Sequence, residues 1–216
     1  MLSRRRFLAA LGLGLASCRL YADMPIPGLR ASPSGAVVVE IINFWCPRCR
    51  RVNEYYDQLH AVSVAAGSPL RIAPVTWEGQ ATWPNRVYYA VRDLYPEVEG
   101  LLRNMLFDGC QQEGMLFENL AQVMSYLELR QIPRLAQQRH ISLDLLAIAD
   151  RATSAEPAIS EFKANRLLNL SGADAVPAFV WVREGEVSET ISPADAPEPG
   201  ALARLVIRKL AEPPHG

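Results

Sequence analysis

The chain has little of what most sequence-level assignments rest on. Its 216 residues carry four cysteines, too few to staple a domain of this size with disulfides. Three histidines, His60, His140 and His215, fall in no ligand spacing. A structural zinc needs four ligands, usually from paired Cys-x-x-Cys units or paired histidines, so no metal is expected. Twenty-two Lys and Arg against 23 Asp and Glu leave a net charge of −1. That balance exerts no strong pull toward nucleic acid or an anionic membrane. The 16 prolines are spread along the chain, and neither a repeat nor a low-complexity tract is apparent. Half the residues are apolar and 21% are charged, an ordinary globular balance. The length suits one domain with a sizeable insertion, or two small ones.

The first 22 residues read as an export signal. Ser3-Arg4-Arg5-Arg6-Phe7-Leu8 precedes the apolar run Ala9 to Ala16, the charge-then-apolar order of a secretory signal. The run is short of the roughly 20 residues that span a bilayer. Arg4-Arg5 with its flanking Ser and Phe-Leu is similar to a twin-arginine signal; a general secretory signal with three arginines is the alternative. Leu15-Ala16-Ser17-Cys18 looks like a bacterial lipobox, in which Cys18 would carry a lipid. The competing readings are cleavage near Ala22 and an uncleaved anchor, which the short run disfavours. Each places the folded part outside the cytoplasm, in a periplasmic setting where disulfides persist. Residues 23–35 read as an extended linker punctuated by Pro25, Pro27, Gly28, Pro33 and Gly35.

The chemistry is concentrated in Phe44-Trp45-Cys46-Pro47-Arg48-Cys49. It follows the apolar, β-branched run Ala36 to Ile42 and precedes a helical pattern. Two thiols two residues apart at a strand-to-helix junction are what disulfide exchange needs. The first sits at a helix N-terminus, where unpaired N–H groups and the helix dipole favour an anion, and the thiolate is the reactive species. Cys49 lies one turn further in. Pro47 fits the first turn because its missing N–H would be unpaired there anyway. Arg48 is permanently charged and either adds to the thiolate preference or only faces solvent. Glu40 interrupts the apolar strand. It is either a buried acid, costly unless paired or protonated, or a strand-end carboxylate reaching water.

The remaining patterns give the order of elements. A buried strand covers Ala36 to Asn43, and a helix runs from Pro47 to about Ala65. A second strand covers Leu70 to Val75. Helical spacings follow: Pro84 to Leu94, Val98 to Phe107, Leu116 to Leu129 and Ser142 to Arg151. Thr153-Ser154-Ala155-Glu156 has the capping-box pattern for a further helix to about Leu170, stopped by Gly172. A strand from Val176 to Val182, a turn at Glu184-Gly185, a strand from Val187 to Ile191 and a helix from Pro199 to Leu210 complete the chain. Strand–helix–strand implies a parallel pair with a right-handed crossover, and the hairpin adds antiparallel strands. The expected fold is α/β: a mixed sheet flanked by helices from 36–80 and 170–216, interrupted by an all-helical insertion over 81–169.

The motif Glu40-x-x-x-Phe44-Trp45-Cys46-Pro47-x-Cys49, the position of the helical insertion, and Gly172-Ala173-Asp174-Ala175-Val176-Pro177-Ala178-Phe179 together resemble the DsbA-like thiol:disulfide oxidoreductases of the thioredoxin superfamily. The resemblance spans about residues 36 to 211. It implies a thioredoxin fold in which Cys46 is the nucleophile and Cys49 the resolving thiol. It also implies that an acid at Glu40 helps move protons to and from the buried cysteine. Pro177 by itself fits the first position of a strand; the resemblance implies a cis bond facing the dithiol, with the Val176 backbone pairing to an extended substrate. Two departures stand out: Arg48 replaces the family's commonest His, and Val176 stands where other branches carry Thr. Cys110 reads as a thiol without a catalytic role. Trp45, Trp77 and Trp83 either rim the site or pack in the core.

The function so implied is that of an extracytoplasmic dithiol oxidase. It would introduce disulfides into exported proteins through the Cys46–Cys49 pair, without a further cofactor. The partners are unfolded or cysteine-containing exported proteins and a membrane redox protein that reoxidises the dithiol, the chain itself being a monomer. A reductase or isomerase on the same fold is the alternative; the dozen or so residues between the signal and the first strand leave no room for a dimerisation domain, which argues against a dimeric isomerase but not against a reductase. A non-catalytic assembly factor is a third reading, since fold alone does not set function.

Overall fold

A computed structural model describes residues 36–212. The export-signal and linker readings, and Cys18 with them, lie outside the described residues. Strand β1 (Ala36–Ile42) is buried along its whole length, as an apolar, β-branched run at the centre of a sheet should be. It pairs in parallel with β2 (Leu70–Pro74) and antiparallel with β3 (Ala178–Arg183), which pairs in turn with β4 (Glu186–Ile191). The sheet order is β2-β1-β3-β4, the mixed sheet the element order implies. Glu184 and Gly185 take φ of 54° and 86°, the positive pair that a tight hairpin between twisted strands requires.

The expected single helix over 47–65 is two. Helix α1 (Pro47–Asn53) and helix α2 (Tyr56–Ala65) meet at Glu54 and Tyr55. There the backbone tightens to i→i−3 bonds, from Glu54 N–H to Arg51 O (3.3 Å) and from Tyr55 N–H to Val52 O (2.9 Å). Nothing in the local sequence breaks the helix, but contacts from distant elements hold the joint. Arg103 donates to Asn53 and lies over the Tyr56 ring. The α2 and α9 (Pro199–Ala211) helices cover one face of the sheet around Val38, Leu59, Phe179, Leu202 and Val206.

The other face carries the larger core, built with the helices that lie between β2 and β3. These are α3 (Trp83–Leu94), α4 (Glu99–Gln111), α5 (Leu120–Leu129), α6 (Ile132–Gln137), α7 (Leu145–Thr153) and α8 (Ala155–Ser171). Helix α4 runs four residues beyond the expected end at Phe107. Helix α5 starts at Leu120 rather than Leu116, because the Asn119 side chain caps Gln122 N–H. Helix α7 starts at Leu145 rather than Ser142, because Asp144 caps Leu146 and Ala147. Helix α6 has no counterpart in the sequence reading, since six residues after a left-handed Gln131 (φ 56°) are too few to show a period. The capping box does not form. The cap residue is Ser154, not Thr153, and its hydroxyl donates backward to Arg151 O at 2.6 Å. Gly172 ends α8 at φ 69°, as expected of a left-handed stop. Strand β3 begins at Ala178, two residues later than read, because Val176 and Pro177 form a turn. Among the described residues no helix is long and apolar enough to cross a membrane.

Gly109 shows how tightly α4 is packed. A Cβ built there would sit 2.7 Å from Phe117 Cζ and 3.1 Å from Tyr126 Cζ, within an edge-to-face pair of rings. Gly109→Ala should cost about 1–3 kcal/mol through overpacking; urea unfolding with an unchanged midpoint would contradict the packing described.

Candidate active site

Cys46 is the N-cap of α1, at φ −85° and ψ 113°, with Pro47 opening the first turn. Its Sγ accepts the Cys49 N–H at 3.3 Å, so the sulfur takes the place of a capping oxygen. Cys46 is half-buried and Cys49 wholly buried, and both are free thiols. The two respond to their surroundings in opposite senses. The Cys46 thiol is lowered from 9 to about 6, chiefly by the hydrogen bond from the Cys49 side chain. Burial opposes that shift, and the N–H groups of Cys49 and Arg48 and the Arg48 charge support it. Cys49 is pushed well above the ordinary thiol range by burial, with the Cys46 sulfur and the Glu40 charge adding to the rise. One thiol is thus poised to ionise while its neighbour keeps its proton.

The Val176–Pro177 peptide is cis, and its turn brings Val176 O to 3.5 Å from Cys46 Sγ, to which the thiol donates. The two motifs, 130 residues apart in sequence, meet because β1 and β3 are neighbours in register, with Ile41 opposite Ala178.

Glu40 is not a strand-end carboxylate reaching water. It is 2% exposed in the middle of β1, and burial raises it from 4.5 to about 7 against the pull of Arg103. Arg103, on α4, is 3% exposed. Its Nε donates to Asn53 Oδ1 at 2.6 Å, its Cζ lies 3.5 Å from the Tyr56 ring centroid, and Nη1 is 3.6 Å from Glu99 Oε1. Glu99 in turn accepts from Tyr88 Oη. A buried carboxyl and a buried guanidinium beneath the dithiol helix offset one another's desolvation.

Sequence reasoning missed three residues here. Asn43 anchors the loop before Cys46: its Oδ1 accepts from Trp45 N–H (2.9 Å), and its Nδ2 donates to Val75 O (2.9 Å) and Gln80 Oε1 (2.6 Å). A short amide just after a strand is a turn-forming signal that was there to be used. Arg103 and Gln111 had none, because a polar residue on a helix reads as solvated until the fold buries it. Trp45 and Trp83 are partly buried against the core, and Trp77 is 41% exposed in the loop that Gln80 closes. Cys110 is buried, and burial raises its thiol. Among the described residues no group of three or more His, Cys, Asp or Glu side chains is arranged to hold a metal. A cavity of about 710 Å3 lies along the seam of α1 and α2 with α4, but neither cysteine nor the Val176–Pro177 turn lines it.

No family model matches the sequence, and no curated protein matches it. Solved structures do. The oxidoreductase NmDsbA1 from N. meningitidis is 16% identical, with a TM-score of 0.59 over 88% of this chain and 89% of that one. DsbA from Pseudomonas aeruginosa is 16% identical, with a TM-score of 0.57 over 87% and 88%. The oxidoreductase DsbA from Xylella fastidiosa is 16% identical, with a TM-score of 0.55 over 87% and 91%. At this identity the likeness is one of fold: the chain has the DsbA-like form of the thioredoxin fold, with its helical insertion.

Two measurements check the electrostatics. In the reduced protein near pH 6, iodoacetamide should modify Cys46 and leave Cys49 intact, since only Cys46 titrates near 6; modification of Cys49 first would reverse the assignment. Glu40 is protonated in both folded and unfolded states below pH 4.5 and ionised in both above about 7. Between those values the folded state binds the extra proton, so Glu40 costs stability as pH rises. Glu40→Gln should therefore gain about 3 kcal/mol on wild type between pH 4 and pH 8, from the shift of 4.5 to about 7. A pH-independent difference in urea unfolding would show that Glu40 is not held in this environment.

Proposed function

We propose that the chain is an extracytoplasmic thiol:disulfide oxidoreductase, acting as a dithiol oxidase on exported proteins. The observation that carries this reading is the opposed state of two neighbouring thiols: Cys46 lowered to about 6 at a helix N-cap, and Cys49 buried and raised. The DsbA-like fold supports it. Export rests on the N-terminal pattern, and attachment by a lipid on Cys18 is part of the same proposal.

In the oxidised protein the Cys46–Cys49 disulfide is the acceptor. A substrate thiolate attacks Cys46 Sγ, a mixed disulfide forms, and Cys49 leaves as a thiolate. Cys49 takes up a proton, and the buried Glu40, raised to about 7, would supply it. The substrate's second thiolate then attacks the substrate sulfur of the mixed disulfide and releases Cys46 as a thiolate. One dithiol is oxidised and one disulfide reduced, with two electrons passing to the protein. A leaving thiol of low pKa departs readily, and a stabilised thiolate favours the reduced form, which makes the disulfide oxidising. The Val176 carbonyl, already beside the sulfur, is the backbone group an extended substrate would pair with. A membrane redox protein then takes the electrons from the dithiol, with Cys46 as the attacking thiolate.

Equilibration of the Cys46–Cys49 pair with glutathione tests the direction. A potential nearer about −120 mV than about −270 mV is expected, and Cys46→Ser should abolish exchange. A value at the reducing end would instead assign the same groups to a reductase.

A further inference from the structure

Helix α4 touches the active-site segment from Arg103 to Gln111. Five residues on one side of α4 do so: Arg103 and Asn104 to Asn53 (both 2.6 Å), Phe107 to the Phe44 ring (centroids 5.2 Å apart), Asp108 to Arg50 (3.0 Å), and Gln111. Gln111 reaches closest to the sulfur chemistry. Its Nε2 donates to Phe44 O at 2.8 Å and to Cys46 O at 3.0 Å, so both hydrogens of one carboxamide are used on two carbonyls flanking Trp45. We propose that Gln111 is a positioning residue that holds Cys46 in the capping geometry its thiolate requires.

The case rests on what those carbonyls would otherwise do. Phe44 is fully buried, and a buried carbonyl without a donor is costly. Cys46 O already accepts the Arg50 N–H at 3.2 Å, so Gln111 fills its second lone pair. With both carbonyls turned toward α4, the Cys46 N–H meets Asn43 O at 3.0 Å. The residue then sits at φ −85° and ψ 113°, where its Sγ reaches the Cys49 N–H. Asn43 holds the loop from the strand side and Gln111 holds it from the insertion. A helix of the segment between β2 and β3 thereby takes part in setting the proton affinity of a thiol at the N-cap of α1.

The test is an ultraviolet titration of the Cys46 thiolate in the reduced full chain, for wild type and three variants. Gln111→Met keeps the length and removes both donors. It should raise the Cys46 midpoint by about half a unit to one unit, the scale of one or two lost hydrogen bonds. Alkylation near pH 6 should slow by about two- to fivefold, the loss of thiolate for that shift from a midpoint of about 6, and match wild type at strongly alkaline pH, where exposure alone decides the rate. Gln111→Lys retains donor hydrogens and should leave the midpoint at or below that of wild type. If Gln111→Met does not fold, Gln111→Ala serves, since it removes both donors without adding a charge and should raise the midpoint as well. A wild-type midpoint in Gln111→Met or Gln111→Ala overturns the proposal, whatever happens to stability, as does an equal rise in Gln111→Lys. The proposal rests on Cys46 being the reactive thiol. The glutathione titration of the unaltered protein tests that separately, so either can fail alone.

Discussion

The contact between Cys46 Sγ and the Cys49 N–H, 3.3 Å long, is the one that fixes the geometry of the dithiol. Helix N-termini leave N–H groups without partners, and most proteins supply an oxygen to meet them. Here a sulfur does so, and the electrostatics of capping become the electrostatics of a thiolate. Proline at the next position fits the same geometry, since it contributes no N–H of its own. Everything else near the site either keeps that sulfur in place or sets how easily its neighbour gains and loses a proton.

Two kinds of support can be distinguished. The sheet supplies position: β1 delivers the dithiol at its C-terminal end, and β3, paired beside it, delivers the Val176–Pro177 turn against the same sulfur. The helices between β2 and β3 supply polarity. From α4 come Arg103, which counters the buried Glu40, and Asp108, which pairs with Arg50. Gln111 from the same helix bonds the loop carbonyls. Burying Glu40 without a cation nearby would leave a larger desolvation cost, so the acid in β1 and the arginine in α4 are parts of one arrangement made by separate segments.

Local signals were readable where one residue type settles the matter. Gly172 stops α8, Glu184-Gly185 turns the hairpin, and the β-branched run from Ala36 marks the central strand. They failed where a contact from far along the chain decided the outcome. The α1–α2 joint has no breaker of its own and is gripped by Arg103 and the Tyr55–Gly200 approach. The capping-box pattern at Thr153 was overridden when α7 ran through it and Ser154 bonded backward instead.

What the sequence determined by itself was the position of the Cys46–Cys49 pair and its local setting. A Cys-Pro-x-Cys placed directly after a buried strand starts a helix at the first thiol, and that follows from backbone geometry within a few residues. What only the tertiary structure decided was the environment of that pair: which carbonyl faces the sulfur, that Glu40 is sealed from water, and that Arg103 and Gln111 reach in from α4. Burial and pairing across 60 to 130 residues depend on how sheet and helices stack, and no short-range pattern records it.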